Sequence, residues 1–139
     1  AAERLNSCDQ GSKVVLYVGD HDPSGEDMVR DIRDRLELFG VDGLEVRKIA
    51  LTWAQVQQYK PPPNPVKFTD TRAAGYQDKY GSECWEVDAL PPNVLVQIIR
   101  DNILEFIDMD KYNAVIEEEE RDKIQLRKAV EKIVAKKDK

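Results

Sequence analysis

Residues 13–19 read Lys-Val-Val-Leu-Tyr-Val-Gly, an apolar run with no polar alternation. Such a run predicts a central strand of a parallel sheet, covered on both faces. From Ser24 the period changes: Met28, Val29, Ile32, Leu36 and Phe39 recur every three or four residues with Arg and Asp between them. That spacing predicts an amphipathic helix, and Gly40 is placed to end it. Residues 44–51 predict a second strand, and Thr52 with Gln55 forms a capping-box pattern opening a short helix through Trp53, Val56 and Tyr59. Crossovers of this strand–helix–strand kind favour parallel neighbouring strands, so an α/β fold is expected, with a mostly parallel sheet flanked by helices.

Pro61, Pro62, Pro63 and Pro65 make residues 60–71 an extended loop, because each proline lacks a donor and restricts the residue before it. Residues 72–80 predict a short helix ending at Gly81, and residues 84–90 a third strand. Pro91-Pro92 opens a further helix whose apolar face is Val94, Leu95, Ile98, Ile99, Leu104 and Ile107. The last segment is helical by propensity. Its apolar positions Tyr112, Val115 and Ile116 are separated from Leu126, Val130 and Ile133 by Glu-Glu-Glu-Glu-Arg-Asp at 117–122. The expected organisation is an α/β domain over 1–108 and a C-terminal helical extension over 109–139, packing on a partner chain or another part of the parent protein through its final apolar stripe.

Composition narrows the function classes. Hydrophobic residues are 41% and charged residues 35%, and no apolar run approaches the roughly 18 residues of a membrane span, so no membrane partner is expected. The N-terminus lacks an apolar signal core, and Cys8 and Cys84 form no ligand or disulfide spacing, which points to a cytoplasmic setting. Ala1, Ala2 and Glu3 read as the middle of a helix, so a piece of a longer chain is expected. The net charge is −6; residues 109–139 carry nine basic against eight acidic side chains, and the first 108 carry 12 against 19. The negative excess sits in the α/β domain, which should repel nucleic-acid phosphates at long range.

Asp20-His21-Asp22-Pro23-Ser24-Gly25 carries the chemistry. It joins two carboxylates to a tight turn between strand and helix. Ligand sites in open α/β sheets lie beyond the carboxyl ends of strands, and two carboxylates one residue apart at that edge suit Mg²⁺, which prefers oxygen ligands and keeps waters. The bland alternative is that Asp22 and Ser24 only shape the turn and cap the helix. His21 is expected to be a solvent-facing turn residue, pointing away from the two aspartates, with a general-base role as the alternative. Glu86 and Asp88, on one face of the expected third strand, are secondary acidic candidates. Arg72, Lys67 and Lys79 read as scattered surface cations.

The motif Asp-x-Asp-Pro-x-Gly, matched by Asp20, Asp22, Pro23 and Gly25, resembles the topoisomerase–primase (Toprim) domains, in particular the topoisomerase VI A-subunit and meiotic double-strand-break type. Residues 49–56, Ile-Ala-Leu-Thr-Trp-Ala-Gln-Val, and 85–90, Trp-Glu-Val-Asp-Ala-Leu, look like later segments of that family, and the resemblance covers roughly residues 13–107. It implies a Toprim-like fold and a Mg²⁺ (or Mn²⁺) site on Asp20 and Asp22. It further implies a topoisomerase- or nuclease-like role on DNA, exercised with other domains of the parent chain. The family adds a glutamate from an earlier strand. The only glutamate among the first 19 residues is Glu3, in a probable helix, so Glu26, with Asp27 beside it, is the nearest substitute third ligand. The family's tyrosine nucleophile belongs to a separate domain, and none of Tyr17, Tyr59, Tyr76, Tyr80 and Tyr112 is assigned that role.

Two other readings stand beside this one. Asp20-x-Asp22-x-Ser24 also permits a haloacid-dehalogenase-like phosphotransferase with Asp20 as nucleophile, for which Glu86-Val87-Asp88 is a poor second acidic pair. A non-catalytic interaction domain is the other, with the proline loop and C-terminal helix binding a partner. A sheet lacking its first strand would expose an edge open to pairing in a homodimer.

Overall fold

A computed structural model of the chain describes residues 1–7, 12–66 and 71–137. Cys8 and Lys67 lie outside the described residues. The chain divides into two compact units, residues 1–102 and 103–139.

In the first unit a short helix α1 (Ala2–Asn6), which contains Glu3, precedes strand β1 (Lys13–Val18). Helix α2 (Pro23–Leu38) then leads to strand β2 (Leu44–Ala50), and β1 and β2 pair in parallel, as the alternation of strand and helix predicts. The register slips between Tyr17 and Val18, so that Val18 faces Ala50. Beyond the bulge the Gly19 amide donates to the Ala50 carbonyl at 2.8 Å and the Leu51 amide returns to the Gly19 carbonyl at 2.6 Å. Pairing therefore continues up to the acidic turn. Helix α2 ends through Phe39, with Gly40 at a φ of +77° that a side chain would disfavour.

Helix α3 (Trp53–Tyr59) starts with the expected reciprocal cap: the Gln55 amide donates to the Thr52 hydroxyl, and the Thr52 amide donates to the Gln55 side chain. The proline segment is less irregular than its composition predicts, because Asn64–Pro65 forms a two-residue strand, β3. Helix α4 (Ala73–Tyr80) follows and ends at Gly81, φ +88°.

The expected third strand does not form over 84–90. Instead β4 (Glu83–Cys84) pairs antiparallel with β3, Trp85 makes a single antiparallel bridge to His21, and Val87–Ala89 closes into one 3-10 turn. The cause is local competition for amides: Asp20 captures the Val87 amide, and the Ala89 and Leu90 amides bond back to the Glu86 and Val87 carbonyls. Helix α5 (Pro92–Leu104) completes the order.

The expectation of a strand covered on both faces also fails for β1. Among the described residues the parallel sheet has only two strands, and β1 is half-buried along its length with Val18 exposed. Part of the core lies on β2, where Val46, Ile49 and Ala50 are buried, and the rest gathers beyond the strand ends. Leu51, Val56, Trp85 and Leu90 form one buried cluster with Val87 and Ile98 against it, and Val66, Ala73 and Tyr76 form a second with Tyr80 and Cys84. On α2, Met28, Val29, Ile32 and Leu36 are half-buried, whereas Phe39 is exposed past the helix end.

The second unit holds one long helix, α6 (Met109–Lys137). Asp108 caps it, accepting from the Lys111 amide at 3.2 Å, and that bond leads the interactions that lower the Asp108 pKa. Among the described residues no helix is long and apolar enough to cross a membrane.

Candidate metal centre

Three residues at the end of β1 alternate in direction. Asp20 and Asp22 line one cavity of about 910 Å³, while the side chain between them, His21, is fully buried. This is the period-two alternation of extended backbone, held by two bonds of the bridge: the His21 amide donates to the Trp85 carbonyl at 2.8 Å, and the Trp85 amide to the His21 carbonyl at 2.9 Å. His21 does point away from its neighbours, as alternation requires, but into the interior rather than into solvent.

Each aspartate is oriented through one oxygen. Asp20 Oδ1 accepts from the Val87 amide at 2.8 Å. Asp22 is the N-cap of α2: its Oδ1 accepts from the Gly25 amide at 2.5 Å and the Ser24 hydroxyl at 2.9 Å, with Pro23 at the first helical position. The bland reading of Asp22 as a cap is therefore correct for Oδ1. No described residue donates to Oδ2 of either carboxylate.

Gly25 is required by close approach. A Cβ there would collide with the Asp20 carbonyl oxygen and crowd Asp22 Oδ1, so the glycine lets the helix start fold against the strand end.

Glu26 is placed differently. It lines a second cavity with Asp27, Arg72, Tyr76, Lys79 and Tyr80, not the one that holds Asp20 and Asp22. Its Oε1 accepts from Lys48 Nζ at 2.7 Å and its Oε2 from the Tyr80 hydroxyl at 3.4 Å. Lys48, only 9% exposed, also donates to the Asp20 carbonyl oxygen at 2.6 Å. Glu26 thus balances a nearly buried lysine that ties β2 to the acidic turn, and the structure does not bring it to the aspartate pair. Asp27 pairs with Arg30 at 2.9 Å and with Arg72 at 3.7 Å. Glu86 does share the cavity of Asp20 and Asp22, as does Arg72. Glu86 and Asp88 have no strand face in common, because the chain turns between them. Among the described residues no group of three or more His, Cys, Asp or Glu side chains is placed to hold a metal ion. The carboxylates lining the cavity are the aspartate pair and Glu86; the pair by itself suits Mg²⁺, which usually binds through one or two carboxylates and takes its remaining oxygens from water and phosphate.

Aromatic rings surround His21: Trp53, Tyr76, Tyr80 and Trp85 have ring centroids 4.6–5.9 Å from it. The Tyr76 hydroxyl lies 2.7 Å from His21 Nδ1, 2.9 Å from the His21 carbonyl oxygen and 3.2 Å from that of Glu83. A hydroxyl has one proton, so satisfying a carbonyl requires it to accept from Nδ1–H. The pattern assigns the Nδ1–H tautomer and leaves Nε2 without a hydrogen-bond partner, 3.9 Å from Glu26 Oε1. Burial is the main cause that lowers the His21 pKa, and the Lys48 cation adds to it against the opposing pull of Glu26 and Asp22. The imidazole is held neutral.

Tyr17, Tyr76 and Tyr80 all have raised pKa values, in each case first through burial. The carboxylates of Asp20, Asp22 and Glu26 add to the shift of Tyr17, Cys84 and Glu26 to that of Tyr76, and Glu26 to that of Tyr80.

Sequence reading missed Lys48 and Tyr76. The signal for Lys48 was its place between Val46 and Ala50 at alternate strand positions, where an inward lysine needs a carboxylate. Tyr76 and Tyr80, one helical turn apart, were an equally legible pair.

No protein-family model, curated protein or solved structure matches the chain.

Proposed function

We propose that Asp20 and Asp22 bind a divalent cation, Mg²⁺ or Mn²⁺, as the metal-holding part of a Toprim-type DNA-processing protein that cleaves or passes strands. The observation that carries this reading is that the two carboxylates flank a buried residue, face one cavity and, among the described residues, each keep one oxygen without a donor. A cation there would relieve the repulsion between two like charges. When bound, the metal would stabilise charge on the oxygens of a phosphodiester.

The chain's own residues supply orientation. Asp20 is aimed by the Val87 amide and Asp22 by the start of α2, so neither carboxylate has to be ordered when the cation arrives. Ser24, Asn64, Thr71 and Arg72 line the same cavity and offer polar contacts to a phosphate backbone. The three tyrosines near the turn have raised pKa values and are poor nucleophiles near neutral pH, which agrees with a nucleophile from another domain of the parent protein. The resemblance implies a third carboxylate, and Glu26 does not supply it to the aspartate cavity.

Titration calorimetry with Mg²⁺ and Mn²⁺ tests the reading, comparing the chain with an Asp20→Asn/Asp22→Asn variant. Asparagine keeps an Oδ1 acceptor for the Val87 and Gly25 amides while removing the charge, so the fold is retained. The parent chain should bind and the variant should not; equal heats overturn the proposal.

A further inference from the structure

Helix α6 exposes a seam that fits a second copy of itself. Reading Met109 as the first position of a heptad, the a and d positions are Met109, Tyr112, Ile116, Glu119, Lys123, Leu126, Val130 and Ile133. The six apolar members are 41–66% exposed, and the side chains of Glu119 and Lys123 are 53% and 51% exposed. Val115 and Val134 flank the seam. Among the apolar residues of the distal half, Ile124 lies off it. A stripe repeating every seven residues is the pattern of helices that pair side by side, and polar core residues within such a stripe specify orientation and register.

The two polar positions decide which pairing fits. In a parallel, in-register pair each seam residue faces its own copy, so Glu119 meets Glu119 and Lys123 meets Lys123. In an antiparallel pair an a residue faces a d residue. Centred on Arg121, that arrangement sets Met109 against Ile133, Tyr112 against Val130 and Ile116 against Leu126. It also sets Glu119 against Lys123, twice by symmetry. Every apolar side chain then meets an apolar one and every charge its opposite. Within one helix Lys123 already pairs with Glu119 at 2.7 Å, so antiparallel association extends that pair into a four-membered alternating cluster. A two-fold axis through the middle of the helix gives the self-complementary contact that closed dimers use.

We infer that α6 is a homodimerisation element, pairing antiparallel with α6 of a second copy about Arg121, with the Glu119–Lys123 cluster setting its direction. This inference is independent of the metal site.

Sedimentation equilibrium of the full 139-residue chain tests it, with three variants alongside. The parent chain should sediment at twice its 15.9 kDa mass in the tens-of-micromolar range. Glu119→Lys and Lys123→Glu each place like charges at both crossings and should weaken association about tenfold or more, by analogy with like-charge contacts at other interfaces. The double variant Glu119→Lys/Lys123→Glu restores opposite charges in the antiparallel pair and should recover dimers. Circular dichroism checks that each variant keeps its helix. A parent chain monomeric at 100 μM overturns the inference. So does a dimer indifferent to both single substitutions, which would place the contact elsewhere, such as the open edge of β1 or β2. Failure of the double variant to dimerise overturns the antiparallel register.

Discussion

Gly25 shows most directly how one residue type follows from geometry, since its missing Cβ is the space occupied by the Asp20 carbonyl oxygen. Gly25→Ala should destabilise the fold by about 1–3 kcal/mol, the usual cost of forcing an atom into a packed site. Urea titration measures this, and an unchanged midpoint would mean the turn can open without loss. Asp22 separates its two roles by chemistry. Asp22→Ala removes the cap of α2 and should cost about 1 kcal/mol, whereas Asp22→Asn should keep most of that stability while weakening cation binding. Loss of both together in Asp22→Asn would show that the charge, and not the cap geometry, holds the helix start. The cap was legible in the motif, because aspartate at the N-cap followed by proline at the first helical position is a rule of helix starts; the close approach that demands Gly25 was not. The direction of His21 was not: alternation says that a residue between two outward aspartates points the other way, but only the fold says that the other way is a cage of four aromatic rings.

At the scale of elements, Tyr76 on α4 joins the acidic turn to the 83–85 segment: its hydroxyl accepts from His21 Nδ1–H, and its one proton lies within reach of the His21 and Glu83 carbonyls. Tyr76→Phe leaves the buried His21 Nδ1–H without its acceptor, while the His21 carbonyl keeps the Trp85 amide, and the expected loss is about 1–3 kcal/mol in urea unfolding; a smaller change would mean that water replaces the hydroxyl. His21 also gives stability a pH dependence. Its folded pKa lies below the ordinary 6.5 because burial disfavours the cation. The unfolded chain therefore binds the proton more readily, and this contribution to stability is complete above the unfolded value and declines as pH falls below it. Metal-free protein should show a lower urea midpoint at pH 5.5 than at pH 7.5, and an equal or higher midpoint at pH 5.5 contradicts the assignment. The helices and both parallel strands were readable from periodicity, since each repeats its signal over several residues. Residues 84–90 misled because their apolar and acidic alternation looks like a strand, while the Asp20 carboxylate, 67 residues away in sequence from Val87, takes the amide that would have continued it.

Over the whole molecule, net charge bears on how the chain meets a polyanion. A net charge of −6, with the excess in residues 1–108, opposes phosphate backbones. Duplex DNA should bind the 139-residue chain with a Kd weaker than about 100 μM at physiological salt, the weak end of non-specific binding. Fluorescence anisotropy with a labelled duplex checks this, and tighter binding would mean that Arg72 and its neighbours outweigh the acidic surroundings. The sequence alone did not show β3, β4 or the 3-10 turn, but it determined the helices from α2 onward, the two strands β1 and β2 with their parallel pairing, the Thr52–Gln55 cap and the presence of two aspartates at a strand end. All of these depend on residues within about one turn or one strand of each other, or on a periodic pattern. Tertiary structure decided that Glu26 answers Lys48 instead of joining the aspartates, that His21 is buried, and that β2 and the segments beyond the strand ends hold the core while β1 stays half-exposed. Those outcomes depend on which distant groups compete for the same amide, charge or apolar surface, and such competition is settled only when the chain is folded.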